Sequence, residues 1–170
     1  MLLLFALLLF GPADSVFVPD DSVVEVRNKI VAAYQQSLDA LARGDADAAL
    51  QIDTEDWVSI TPGQPELRRQ ERDEHLRQNV DSQKPPAGWV AIWKPDYERN
   101  GTSTGIQIYD VKVEGKTATV LCLVGSTKDR VWTGSQVRDI WIETLRGWKR
   151  SRHEKLTVNE RLVDGKRPPG

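Results

Sequence analysis

Ser135–Val158 reads SQVRDIWIETLRGWKRSRHEKLTV, two alternating runs around a polar reversal at Leu145-Arg146-Gly147-Trp148. Val137, Ile140, Trp141, Ile142, Thr144 and Trp148 are β-branched or aromatic and suit a pleated, half-buried surface, while Gly147 supplies the permissive backbone of a tight turn. The stretch predicts a β-hairpin. Counting in twos from Trp148, Arg150, Arg152, Glu154, Leu156 and Val158 share its face, and His153 points the other way. Charges on a face meant for burial must pair, reach water or meet a ligand. The hairpin is therefore expected to turn Arg150 and Arg152 towards the interior and His153 towards solvent.

The surrounding chain sets the limits. With 170 residues, 39% of them apolar, and a formal net charge of −2, it is an ordinary single domain with one core. That charge implies neither a nucleic acid nor an anionic membrane as partner. One cysteine excludes an internal disulfide framework, and one cysteine with two histidines gives no zinc arithmetic. Neither a metal nor a cofactor is called for. Cys122 lies in the apolar run Thr119-Val120-Leu121-Cys122-Leu123-Val124 and reads as a buried, inert thiol.

Residues 1–10, MLLLFALLLF, are too few to span a bilayer. They resemble the apolar region of a secretory signal peptide, with Ala13-Asp14-Ser15 as small residues for cleavage, although no Lys or Arg precedes the run. Residues 1–15 are thus read as a leader, 16–163 as the domain and 164–170 as a frayed tail. That predicts a periplasmic or secreted protein with no membrane attachment after cleavage. Ser22 and Glu25 form a capping box for a helix that runs to about Ala42, with apolar residues at helical spacing; Gly44 stops it and Asp45 caps a second helix, Ala46 to Ile52. Trp57–Thr61 is strand-like and ends at Pro62-Gly63. Pro65 is expected to open a third helix to about Val80, charged on nearly every side and read as a solvated cover that includes an exposed His75. Trp89–Trp93 fits a short strand or one helical turn. Asn100-Gly101-Thr102 is a glycosylation sequon within a polar excursion. Strands then follow at Gly105–Glu114 and Thr117–Thr127, the second apolar on both faces and so central. Helices first and a strand meander after give an α+β fold: a cone-shaped roll, in which a strongly curved, mostly antiparallel sheet is wrapped by about three N-terminal helices.

Several motifs occur in an order that resembles the nuclear-transport-factor-2-like superfamily, in particular its SnoaL-like and ketosteroid-isomerase-like bacterial members of unassigned function. They are Leu41–Leu50, Asp56-Trp57-Val58 before Pro62-Gly63, Asp110–Ala118, and Ile140-Trp141-Ile142 before Gly147-Trp148-Lys149. The resemblance implies a cone with a pocket at its wide end, in a superfamily that includes isomerases, cyclases, dehydratases and non-catalytic binding or assembly domains. It also implies that the general-base position of the ketosteroid isomerases falls on Thr61 and their oxyanion tyrosine on Ser37, one turn from Tyr34. Steroid isomerisation is therefore not expected. Arg150 stands where such strands commonly carry an aliphatic residue.

The charged cluster of the last two strands is the remaining site signal. Arg138, Arg150 and Arg152, with Tyr34 and Trp57 from the cone wall, are candidate ligand-binding residues for a small anionic organic molecule, since a guanidinium matches a carboxylate bidentately. Asp139 or Glu154 is the candidate catalytic base, its pKa shifted by burial. The simpler explanation for the same residues is a twisted strand carrying surface ion pairs worth ~0–1 kcal/mol each. Two functions follow: an exported small-molecule-binding or assembly domain, or a cofactor-independent isomerase, cyclase or dehydratase. A homodimer through the sheet face, with Trp132 and Trp141 as its apolar contact, is the expected assembly.

Overall fold

The computed structural model describes residues 21–93, 105–128, 131–158 and 160–163. The leader, the sequon and the tail read from the sequence lie outside the described residues. Two helices, α1 (Asp21–Arg43) and α2 (Ala46–Leu50), lead into β1 (Asp53–Ile60), β2 (Leu67–Arg68) and α3 (Arg69–Asn79). The remaining strands are β3 (Ala91–Trp93), β4 (Ile106–Glu114), β5 (Thr117–Lys128), β6 (Val131–Thr144), β7 (Gly147–Lys155) and β8 (Glu160–Val163).

They form one sheet in the order β2-β1-β7-β6-β5-β4-β3, with β8 added to the far end of β6. The meander β4 to β7 is antiparallel, but β1 runs parallel to β7 and β3 parallel to β4, so the sheet is mixed. Irregular registers at Ile108/Asp110, at Ile140/Trp141 and between Asp53 and Val58 bend it. The strands also approach closely near the end of β5. Gly125 faces Gly134 across the ladder, and a Cβ on either would lie 2.2 Å from a carbonyl oxygen of the opposite strand. The result is the curved, open α+β sheet with N-terminal helices that the element order predicts.

α1 covers the inner face. Ile30, Tyr34 and Leu38 recur every four residues and pack with Ile108, Val120, Cys122, Val137 and Trp141. Each such aliphatic or aromatic side chain removed from water contributes about 2 kcal/mol, which fixes the helix on the sheet. Gly44 takes φ 77° to end α1, and Asp45 then caps α2 by accepting a 2.9 Å hydrogen bond from the Ala48 amide.

The third helix departs from expectation. Pro65 does not open it: the turn at Pro62-Gly63 returns the chain as β2, which pairs Arg68 and Leu67 with Val58 and Ser59, and helix begins only at Arg69. α3 is solvated over most of its surface, with His75 exposed as expected, but one face is turned inward: Asp73 is buried and Arg69 and Arg72 are largely so. Trp132 and Trp141 are both fully buried within the chain, one beside Leu123 on the outer face and one in the inner core. Neither offers surface to a second copy, which removes the contact assigned to them from the sequence.

Candidate functional site

One extra residue decides what the closing hairpin presents. β6 and β7 pair Trp141 with Arg150 and then Ile140 with Arg152, which leaves Ser151 as a bulge. The alternation therefore changes phase at Ser151. Before it, Trp148 and Arg150 are inside; after it, His153 is inside, opposite Asp139, while Arg152 and Glu154 are outside, opposite Ile140 and Arg138. Arg150 thus sits where the alternation predicts, whereas Arg152 and His153 exchange sides.

On the inner face Asp139 is the hub. It is 1% exposed and accepts hydrogen bonds from three groups. The Tyr34 hydroxyl donates to Oδ2, Arg150 Nη1 donates to the same oxygen at 3.3 Å, and His153 Nδ1 lies 2.7 Å from Oδ1. Burial alone would raise the Asp139 pKa. The His153 and Arg150 charges, with hydrogen bonds from His153 and Tyr34, outweigh it and bring the carboxyl from 3.8 down to about 2. The shift is opposite to the one a burial-activated base requires. Tyr34 is pushed up by burial and by the Asp139 charge, so its phenol stays protonated and serves as a donor.

A carboxylate held ionised can only accept, so His153 donates to it from Nδ1, and Nε2 is the ring nitrogen left for another partner. No described residue hydrogen-bonds to that Nε2. Ser59 of β1, which is buried, is the register neighbour of the partly buried His153 on the other side.

Arg150 is enclosed by carboxylates. Its Nε donates to Asp53 Oδ1 at 2.7 Å and its Nη2 to Oδ2 at 3.3 Å, with Asp139 on the remaining arm. Burial lowers the arginine's pKa, but Asp53 and Asp139 more than compensate and keep it charged. Asp53 also accepts from Arg72 Nη1 at 2.6 Å, and the Arg72 guanidinium lies 4.0 Å from the centre of the Trp57 ring. Arg69 completes the link by donating to the Asp53 and Thr54 carbonyls at 2.8 and 2.6 Å and to Asp73 at 3.0 Å. α3 is therefore fastened to the sheet by paired charges. Sequence reading missed Asp53 and Arg72; the spacing Arg69, Arg72, Asp73 at i, i+3, i+4 was the available sign of a polar inward face.

The remaining predicted residues are placed elsewhere. Trp57 is buried beneath Arg72 and lends its ring to the ion network. Arg138, Arg152 and Glu154 form a separate outer-face cluster: Arg138 Nε donates to Glu154 Oε2 at 2.6 Å, and Arg152 Nε lies 2.5 Å from Oε1. Burial raises the Glu154 pKa, but the hydrogen bonds and charges of Arg138 and Arg152 lower it overall. The two candidate bases are thus on opposite faces, and only Asp139 belongs to the interior. Cys122 is buried and free, its thiol pushed up first by burial and then by Asp139. Among the described residues no group of three or more His, Cys, Asp or Glu is arranged to hold a metal.

No protein-family profile and no curated protein matches the sequence. Solved structures do. A conserved protein from Planctomyces limnophilus is 14% identical, with a TM-score of 0.55 over 80% of this chain and 98% of its own. A protein of unknown function from Shewanella oneidensis, described as NTF-2 like, is 17% identical, with a TM-score of 0.53 over 76% and 97%. An NTF2-like protein with a cystatin-like fold from Novosphingobium aromaticivorans is 20% identical, with a TM-score of 0.51 over 79% and 82%. At these identities the likeness is one of fold.

Proposed function

We propose that this chain, whose fold is that of the nuclear-transport-factor-2-like superfamily, is a cofactor-independent acid–base enzyme of the isomerase, cyclase or dehydratase kind, with His153 as the group that moves the proton. The observation that carries the reading is the 2.7 Å pair between His153 Nδ1 and Asp139 Oδ1 on the inner face. Asp139 sets the ring's tautomer and orientation and stabilises the imidazolium that forms when Nε2 takes a proton. Tyr34 and Arg150 fix Asp139 in turn, so the base is held by a supporting shell and not by its own rotamer alone.

The same geometry weighs against the anion-binding reading of the cone. Arg150 already meets two carboxylates, and Arg72 already meets Asp53, so neither guanidinium has an uncompensated charge to give a ligand. A neutral substrate with an acidified C–H or a hydroxyl leaving group fits better than an organic acid.

The test is solvent deuterium exchange. Small ketones and β-hydroxy carbonyl compounds incubated with the protein in D2O are followed by proton NMR, together with the His153 ring resonances. Exchange at a carbon next to a carbonyl, or loss of water, should occur with the natural protein and fall by about 10²–10⁴-fold in His153→Gln. Turnover that survives in His153→Gln, or a panel that neither reacts nor moves the His153 resonances, refutes the assignment.

A further inference from the structure

A second site lies apart from the Asp139–His153 pair. Between the flank of α1, the end of α2 and the tip of the β6–β7 hairpin is a cleft of about 330 Å³. That is at the small end of the roughly 300–1,000 Å³ typical of ligand pockets. Neither Asp139 nor His153 lines it.

Its construction follows from three elements. Ile30, Tyr34 and Leu38 face the sheet, so the adjoining stripe of α1, including Ala33 and Ser37, is turned towards the hairpin tip. Small side chains there leave space, and Ile52 and Trp148 supply a larger apolar floor. The two-residue turn at Leu145-Arg146 between Thr144 and Gly147 then projects Arg146 and Lys149 over the opening.

The charge of the lining is one-sided. Lys29, Arg146 and Lys149 border the cleft, and no Asp or Glu does, in a chain whose net charge is −2. Lys29 pairs with Glu25 at 2.7 Å, at the solvent side of α1. Neither Arg146 nor Lys149 has a carboxylate within ion-pair distance among the described residues. Among the described residues the Lys149 ammonium donates only to the Gln51 carbonyl oxygen; burial, the largest influence on it, lowers its pKa, against an opposing pull from the Asp53 charge. Arg146 is exposed and Lys149 partly so, which leaves both cations open to an incoming anion at the rim of the cleft.

We infer that this cleft binds a small organic anion, a carboxylate or sulfonate on an apolar body, with Arg146 and Lys149 meeting the charged group and Trp148, Ile52 and the alanines of α1 and α2 enclosing the rest. The site is independent of the proton-transfer reading of the interior.

The probe is 1-anilinonaphthalene-8-sulfonate, which carries a sulfonate on an aromatic body, titrated by its own emission and by quenching of tryptophan. Wild type is compared with Arg146→Glu, whose side chain lies at an exposed turn, and with Arg43→Glu, which makes the same charge change at the exposed end of α1, away from the cleft. Arg146→Glu should weaken binding by about tenfold or more, and Arg43→Glu by less than about twofold. Uncharged N-phenyl-1-naphthylamine should bind more weakly than the sulfonate. Equal losses in the two variants would reduce the effect to net charge and overturn the site, as would unchanged affinity in Arg146→Glu or saturable binding that ignores the sulfonate. Absence of binding to wild type overturns it as well.

Discussion

Acid should weaken this protein through one carboxyl above the rest, and Asp139→Asn isolates it. A group whose folded-state pKa is depressed contributes its stability in full above the unfolded value and loses it as pH falls through the folded one. For Asp139 those values are 3.8 and about 2. At about 1.4 kcal/mol per pH unit, the interval carries roughly 2 kcal/mol. Asparagine keeps the volume but cannot ionise, and it leaves Arg150 buried with one carboxylate in place of two. At neutral pH the substitution should cost about 3 kcal/mol, the scale of breaking a buried ion pair by removing one partner. The measurement is a set of urea unfolding curves for both proteins, read by tryptophan emission in steps from neutral pH to about pH 2. The gap between them should narrow by roughly 2 kcal/mol on the acid side, because protonation progressively removes from the natural protein what the variant already lacks. Parallel stability curves over that range would show that the Tyr34, Arg150 and His153 contacts do not hold Asp139 ionised, and the account of the inner face would fall with them.

Three other outcomes follow from the same geometry. Arg72→Ala removes one cation from Asp53 and the lid from the Trp57 ring, and should cost about 3 kcal/mol by chemical denaturation; Arg68→Ala, an exposed residue of the same segment, should stay within about 0.5 kcal/mol. Gly134→Ala places a Cβ 2.2 Å from the Val124 carbonyl oxygen; a fall in melting temperature corresponding to roughly 2–3 kcal/mol is expected, and a thermally neutral variant would contradict the close crossing of β5 and β6. Glu154→Gln acts on the outer face, so it should leave deuterium exchange within about twofold of the natural protein while His153→Gln lowers it by about 10²–10⁴-fold; a matching loss in both would return the base to Glu154.

Much of this architecture is written locally. The turn at Leu145-Arg146, the stop at Gly44, the Asp45 cap and the spacing of Ile30, Tyr34 and Leu38 depend on neighbours in the chain, and each was legible. So was the inward turn of Arg150, because it lies only two residues from Trp148. What failed to read depended on contacts distant in sequence. Asp53 meets Arg150 across 97 residues, and Tyr34 meets Asp139 across 105. Nothing in the spacing of Arg69, Arg72 and Asp73 names the partner that draws them inward. His153 was lost for another reason: period-two counting assumes an unbroken ladder, and no composition signal marks Ser151 as a bulge.

That single supernumerary residue has a bearing on comparison between proteins. β7 carries two phases in one strand, with interior positions on even numbers as far as Arg150 and on odd numbers from His153. A relative without the extra residue can be aligned to it correctly only by opening a gap at Ser151; an ungapped match would set each downstream interior side chain against a neighbour's exterior one. Excising Ser151 should leave His153 opposite Asp139 and merely straighten the strand, whereas inserting one residue after Arg152 would exile the imidazole to water.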